Sequence, residues 1–209
     1  RIAEGITMSG QLIIRDTAKA LDDYMNKVCG TEKEVYSFYS DTDSCYVTCK
    51  NMVDNFFPDS DTDKVVGLLD KIATDKIEPA IAQAMRKLGN YTNVFEHKID
   101  FKREVIADKG IFVAKKRYAL NVLDDEGLRL KEPKLKVMGL EIVRSSTPAP
   151  IRDSLKEAVR LVLTSDEEHL QNYIAEAQKT FNGLSPEEIA FPRGCNNLQK
   201  YSSTADIYQ

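Results

Sequence analysis

The hydrophobic period of this chain changes within its first fifty residues, and that change limits the folds open to it. Across residues 3–28 the apolar positions Ile6, Ile13, Ala20, Leu21, Tyr24 and Val28 recur at helical spacing, and Gly30 follows as a stop signal. Residues 35–39 and 45–49 are then short runs of β-branched and aromatic residues on either side of Ser-Asp-Thr-Asp-Ser, the pattern of a hairpin. A long helix that runs straight into a ribbon predicts an α+β body. The turn of the ribbon holds two aspartates, Asp41 and Asp43, whose charges repel.

Residues 63–88 resume a helical period through Val66, Leu69, Ile72, Ile77, Ile81 and Met85, with Pro79 expected to kink or divide the helix. Residues 94–142 then read as short extended runs, VFEHKIDF, REVIA, IFVAKKRYALNVL, LRL and KLKVMGLEI, with Asp-Asp-Glu-Gly at 124–127 as a hairpin turn. The linker-like STPAP of residues 146–150 precedes helical spacing at 151–163 and 167–181. Asp166 is placed to start the second of these, and Ser185-Pro186 to start a further helix. The chain is therefore divided near residue 146, into an α+β body of residues 1–145 and a smaller helical part of residues 146–209.

Composition narrows the function classes. The 209 residues are 42% hydrophobic and 30% charged, as in ordinary folded chains. No apolar run is long enough to span a membrane and the N-terminus lacks the regions of a signal peptide, so a cytoplasmic location is expected. The first residue is Arg1, consistent with a segment of a longer or split product. Cys29, Cys45, Cys49 and Cys195 have neither disulfide-framework nor zinc spacing and are read as free thiols. The net charge of −4 argues against a nucleic-acid partner on average, yet residues 98–136 form a local band rich in Lys and Arg.

An Asp-x-Asp turn is often only a turn, because aspartate caps local amides. Here Tyr36, Phe38, Tyr39, Tyr46 and Val47 flank it and are expected to anchor it in packed structure. A carboxylate pair so supported suits Mg2+, which takes one or two protein carboxylates and leaves its other positions to waters and phosphates. A calcium loop does not fit, since Tyr46 would stand where the loop needs Gly and Met52 where it needs Glu. Asp59, Asp61 and Asp63 read as a solvated loop that caps the next helix.

Tyr39-Ser40-Asp41-Thr42-Asp43-Ser44 resembles the Tyr-Gly-Asp-Thr-Asp-Ser signature of family B DNA polymerases, motif C of the palm. Lys115-Lys116-Arg117-Tyr118 is similar to the Lys-Lys-Arg-Tyr motif downstream of it, and residues 132–148 to the Lys-x-x-Gly-Leu-Glu stretch at the palm–thumb junction. PRGCNNLQKY at 192–201 resembles the thumb segment along the primer. The wording is similar to that of the replicative polymerases of T-even-type bacteriophages, over essentially the whole chain.

The resemblance implies a palm-type mixed sheet carrying the carboxylate hairpin, with packed helices, followed by a mostly helical partial thumb. It implies primer extension from deoxynucleoside triphosphates through two Mg2+ ions. Asp43 would be the main ligand, Asp41 would shape the site, and Glu104 is a third candidate ligand. The motif A carboxylate, fingers and exonuclease would belong to other polymerase segments, in cis or in a split partner, so the isolated chain is expected to be inactive. Ser40 replaces the family's usual Gly and would be strained if the turn needs positive φ there.

Lys115, Lys116 and Arg117 would meet minor-groove acceptors and phosphates of the primer–template, and Tyr118 would pack beside the primer end. Lys134, Lys136 and Arg144 at the junction, and Arg193, Asn196, Asn197 and Lys200 in the thumb, would meet phosphates. The alternative for Lys115 to Tyr118 is a solvated charge run beside a core aromatic. Alternatives for the whole chain are a catalytically idle palm-derived DNA-binding or interaction module and an Asp-x-Asp glycosyltransferase.

Overall fold

The computed structural model describes residues 2–191, 193–194 and 196–197. They form an α+β structure in two compact units. The first comprises residues 1–108 and 122–134, the second residues 109–121 and 135–209.

The first unit opens with α1 (Ile2–Cys29), which ends as the glycine predicts. Gly30 takes φ +67°, and the Thr31 N–H reaches back to the Asn26 carbonyl at 3.0 Å, a Schellman closure. The helix buries Thr17, Leu21 and Met25, whereas Ile2, Ile6, Met8 and Leu12 of its first half are exposed. The expected hairpin follows as β1 (Ser37–Asp41) and β2 (Ser44–Val47), an antiparallel pair. A short helix absent from the sequence reading, α2 (Lys50–Phe56), comes next. Asp61 then caps α3 (Thr62–Ile72) through the Asp63 N–H, as read for that acidic loop.

Pro79 does divide the next helical path, by widening it rather than breaking it. Residues Ala73–Ile77 form a π-helical turn, and α4 (Glu78–Tyr91) continues with the proline in its first turn. The ring crowds the carbonyl four residues earlier and offers no N–H, and a wider turn relieves both problems.

Two contiguous cores hold this unit. Leu21, Ile81 and Met85 join α1 to α4, with Cys45, Val47 and Phe101 packed against them. Met25, Tyr36 and Met52 form the second, with Val28, Cys49, Leu69 and Ile72 around it. Residues 94–101, read as an extended run, belong to no strand; Phe101 packs on the helices while Val94, Phe95 and Ile99 are exposed.

Three strands then form one sheet in the order β3 (Val105–Ala114), β4 (Arg117–Asp125), β5 (Leu128–Met138). Two pairs of runs that the sequence presented separately merge here, REVIA with IFVA and LRL with KLKVM. β4 is buried from Tyr118 to Asp124. The β4–β5 turn is Glu126-Gly127 with φ +51° and +87°, the positive pair that a two-residue hairpin prefers. In the first unit Arg103 binds both Asp70 and Asp124, and Arg129 binds Asp63, so two carboxylates seven apart on α3 hold two arginines.

In the second unit the stretch Gly139-Leu140 leads into a 3-10 turn (Glu141–Val143) instead of continuing as a strand. α5 (Ala149–Thr164), α6 (Glu167–Asn182) and the short α7 (Pro186–Ile189) follow where their signals stand. Asp166 caps α6 through the His169 N–H at 2.9 Å, and the Glu188 carboxylate accepts from the Ser185 N–H at 2.9 Å.

Candidate functional site

The carboxylate turn is built from below by α1. Asp22 Oδ1 accepts from the Tyr36 N–H at 3.0 Å and the Ser37 N–H at 2.7 Å, and the Ser37 hydroxyl donates to the Ala18 carbonyl at 3.3 Å. One turn on, Asn26 pairs with the backbone of Glu34 in both directions, 2.8 Å from its amide and 3.0 Å to its oxygen. Residues 18, 22 and 26 share one face of α1, so the helix works as a rail along which residues 34–37 are clamped. Tyr36 is fully buried, and its hydroxyl meets Thr31 Oγ1 at 2.9 Å and Asn51 at 3.3 Å.

The strands run from that clamp to the tip. Ser37 pairs with Val47 and Tyr39 with Tyr46, leaving Phe38 as one extra residue, a β-bulge. Past the bulge, Ser40 pairs with Cys45 and Asp41 with Ser44. The Tyr39 and Tyr46 rings meet edge to face, with centroids 5.4 Å apart. Tyr36 and Val47 anchor the ribbon as expected, but Phe38 is 49% exposed, and Cys45 packs on the helices in its place.

Thr42 and Asp43 form the two-residue loop. The Asp43 N–H donates to the Asp41 carbonyl at 2.7 Å while Thr42 takes φ +59°, the combination of a γ-turn with positive φ. The strained residue is therefore Thr42. Ser40 lies in the strand with φ outside the positive region, so serine fits where the family has glycine. Thr42 Oγ1 donates to Asp41 Oδ1 at 3.1 Å and Ser44 Oγ donates to the Asp41 carbonyl at 3.1 Å, which orients the half-buried Asp41. Asp43 is exposed, and its carboxylate has no hydrogen bond or ion pair among the described residues.

Among the described residues no three His, Cys, Asp or Glu side chains are grouped to hold a metal, so Glu104 forms no such cluster with Asp41 and Asp43. Two hard carboxylates on a braced turn match what one side of a Mg2+ site asks of a protein, and ask for completion from elsewhere. Cys45 and Cys49 are not suited to the metal. Burial, then Asp22, pushes the Cys45 thiol up to about 11; burial, then Cys29, does the same for Cys49. Cys29, Cys45 and Cys49 are free thiols, and Cys195 lies outside the described residues.

The basic candidates are distributed over the two units. Lys115 and Lys116 form the β3–β4 turn, both exposed, with Lys116 at φ +60°. Arg117 is already engaged: its Nη2 donates to both Glu141 oxygens at 2.7 Å, and its Nε is buried without a partner among the described residues. Tyr118 is buried and stacked on Phe112, centroids 5.3 Å apart. Lys134 lies 4.0 Å from Asp125, Lys136 is half-buried, and Arg144 approaches Glu141 at 3.7 Å. Arg193, Asn196 and Asn197 are exposed, and Lys200 lies outside the described residues.

The residues that sequence reading missed are those that position others, namely Asp22, Asn26, Gly139 and Glu141. For Asp22 and Asn26 a signal existed, a polar pair four apart beside the apolar stripe that ends in Leu21 and Met25. No helix among the described residues is long and apolar enough to cross a membrane.

A family model described as Divergent Family B DNA polymerase matches residues 31–178, a span that contains the carboxylate turn and the Lys-Lys-Arg-Tyr turn. The DNA-directed DNA polymerase of Escherichia phage RB69 is 42% identical over 211 residues, covering 96% of this chain and 23% of that protein. The DNA-directed DNA polymerase of Enterobacteria phage T4 is 37% identical, covering 96% of this chain and 24% of that protein. The chain spans about a quarter of the length of these curated relatives.

Proposed function

The chain belongs to the family B DNA polymerases, and from that premise we propose that it supplies the motif C carboxylates and primer–template contacts of a DNA-directed DNA polymerase. The observation that carries this reading is the turn at residues 41–44. A strained loop presents one exposed carboxylate, Asp43, and orients a second, Asp41, while a helix clamps the ribbon beneath them. Residues 1–145 act in this reading as part of the palm and residues 146–209 as part of the thumb.

Asp43 and Asp41 would hold Mg2+. When bound, the metal supplies charge compensation at the primer 3′ oxygen and at the pyrophosphate that leaves the deoxynucleoside triphosphate. Asp43 faces outward to bind, Asp41 is held by Thr42 and shapes the field, and the bulged ribbon keeps both in place. The remaining ligands, the fingers and the exonuclease come from other polymerase segments, in cis or from a split partner. The site of action is the cytoplasm of a phage-infected host.

The test is incorporation after the chain is joined to segments that carry the missing motifs. Asp43→Asn is expected to lose on the order of 4 kcal/mol of transition-state stabilisation, about a thousandfold in single-turnover rate. Asp41→Asn loses clearly less. An Asp43→Asn enzyme that extends primers at the wild-type rate refutes the ligand assignment. A second reading is an idle palm-derived module that binds DNA. It is selected if the joined segments bind duplex but incorporate nothing.

A further inference from the structure

Gly139 and Glu141 meet the Lys115–Lys116–Arg117 turn at two independent points. Gly139 takes φ +64°, and a Cβ built there would stand 1.9 Å from the Lys116 carbonyl oxygen and 3.3 Å from Arg117 Cγ. The first distance is far inside van der Waals contact and its partner is backbone, so only glycine allows the turn to sit where it does. Two residues later the Glu141 carboxylate accepts both hydrogen bonds from Arg117 Nη2.

Glu141 is itself held. Its carbonyl accepts from Thr147 Oγ1 at 2.8 Å, and Thr147 is buried. Its own backbone N–H, then the charges of Arg117 and Arg144, keep its carboxyl below the usual carboxylate range. The Arg117 guanidinium is thus fixed by a carboxylate that would otherwise compete with a DNA phosphate for it. Lys115 is exposed on the same turn and has no ion pair among the described residues.

We propose that Gly139 and Glu141 are positioning residues that seat this turn, and that Arg117 is the brace of the seat, so that duplex DNA is met by Lys115 and not by the Arg117 guanidinium. The inference rests on the reading of the turn as a DNA contact, and its test separates the two. Affinity for a fluorescent primer–template duplex is measured against salt for the 209-residue chain and its variants, alongside thermal melting.

Lys115→Ala is expected to leave melting unchanged and to lower the slope of log affinity against log salt by about 0.9, for one phosphate no longer neutralised. Arg117→Ala leaves the slope unchanged and lowers the melting temperature. Glu141→Ala lowers it as well, and the double variant is no worse than the worse single, the mark of a shared interaction. Gly139→Ala gives the largest drop in melting temperature. An Arg117→Ala slope reduced by about 0.9 with unchanged melting overturns the inference and makes Arg117 a phosphate donor. If the wild-type chain shows no salt-dependent duplex binding, the DNA reading fails, and the melting cycle alone decides the seat. A shared loss at Arg117 and Glu141 then sustains it, and additive or absent losses overturn it.

Discussion

Asp22 is expected to matter more to the carboxylate turn than any residue of the turn itself. Its Oδ1 accepts two backbone N–H groups, from Tyr36 and Ser37, at the point where the chain enters β1 beside the fully buried Tyr36. Asp22→Ala leaves both donors without a partner. Hydrogen bonds to a charged acceptor contribute about 1.5–3 kcal/mol each when buried, and the partial exposure of this site favours the low end. Two of them give about 3 kcal/mol, from which the better helix propensity of alanine removes about 0.5. The net loss of roughly 2–3 kcal/mol converts to a fall in melting temperature of about 5–10 °C for a chain of this size. Asp22→Asn keeps an acceptor oxygen in place and should lose about half as much. Thermal melting by circular dichroism measures the loss, and amide exchange at Tyr36 and Ser37 localises it. An Asp22→Ala chain that melts within a degree of wild type, with both amides still protected, refutes the clamp.

Thr42 is β-branched at φ +59°, so Thr42→Asn, which tolerates that region, should raise stability by about 1 kcal/mol, read as a rise of roughly 2–4 °C in melting. Cys45 and Cys49, pushed up to about 11 from 9.0, should react with a thiol reagent at neutral pH about a hundredfold more slowly than an exposed cysteine, as timed by labelling and mass spectrometry. The His169 backbone N–H, then its ring, lower the Asp166 pKa at the start of α6. A folded pKa below the unfolded one gives stability that is complete above the ordinary Asp value near ~3.9 and lost as pH falls through the depressed value. Acid titration of the His169 amide should show that loss, and Asp166→Ala should remove it.

What the sequence made legible was local. α1, the hairpin, the caps at Asp166 and Ser185 and the Glu126-Gly127 turn each follow from residues within a few positions of one another. The same holds for the turn that carries Asp41 and Asp43, because it spans only six residues. The misses come from long-range pairing. Residues 94–101 have strand-like composition, but a strand exists only with a partner, and no described segment supplies one. The pairing of Arg117 with Glu141, twenty-four residues on, is likewise invisible to any local pattern. Phe38 reads as an anchor until the bulge, set by the pairing of Ser37 with Val47, leaves it exposed.

The clamp also accounts for how like charges persist at the tip. A two-stranded ribbon is marginal by itself in water, and this one carries a positive φ at a threonine and two carboxylates two residues apart. None of these features stabilises the ribbon, and the Tyr39–Tyr46 contact contributes only about 1 kcal/mol. The stabilising interactions lie at the other end, in Tyr36 and Val47 packed on the helices and in Asp22 and Asn26 bound to the entering backbone. Strain at the tip and support at the base are separated by the length of the ribbon. A substitution at the base should therefore change stability and function together, whereas Thr42→Asn or Asp43→Asn at the tip can raise stability while function falls.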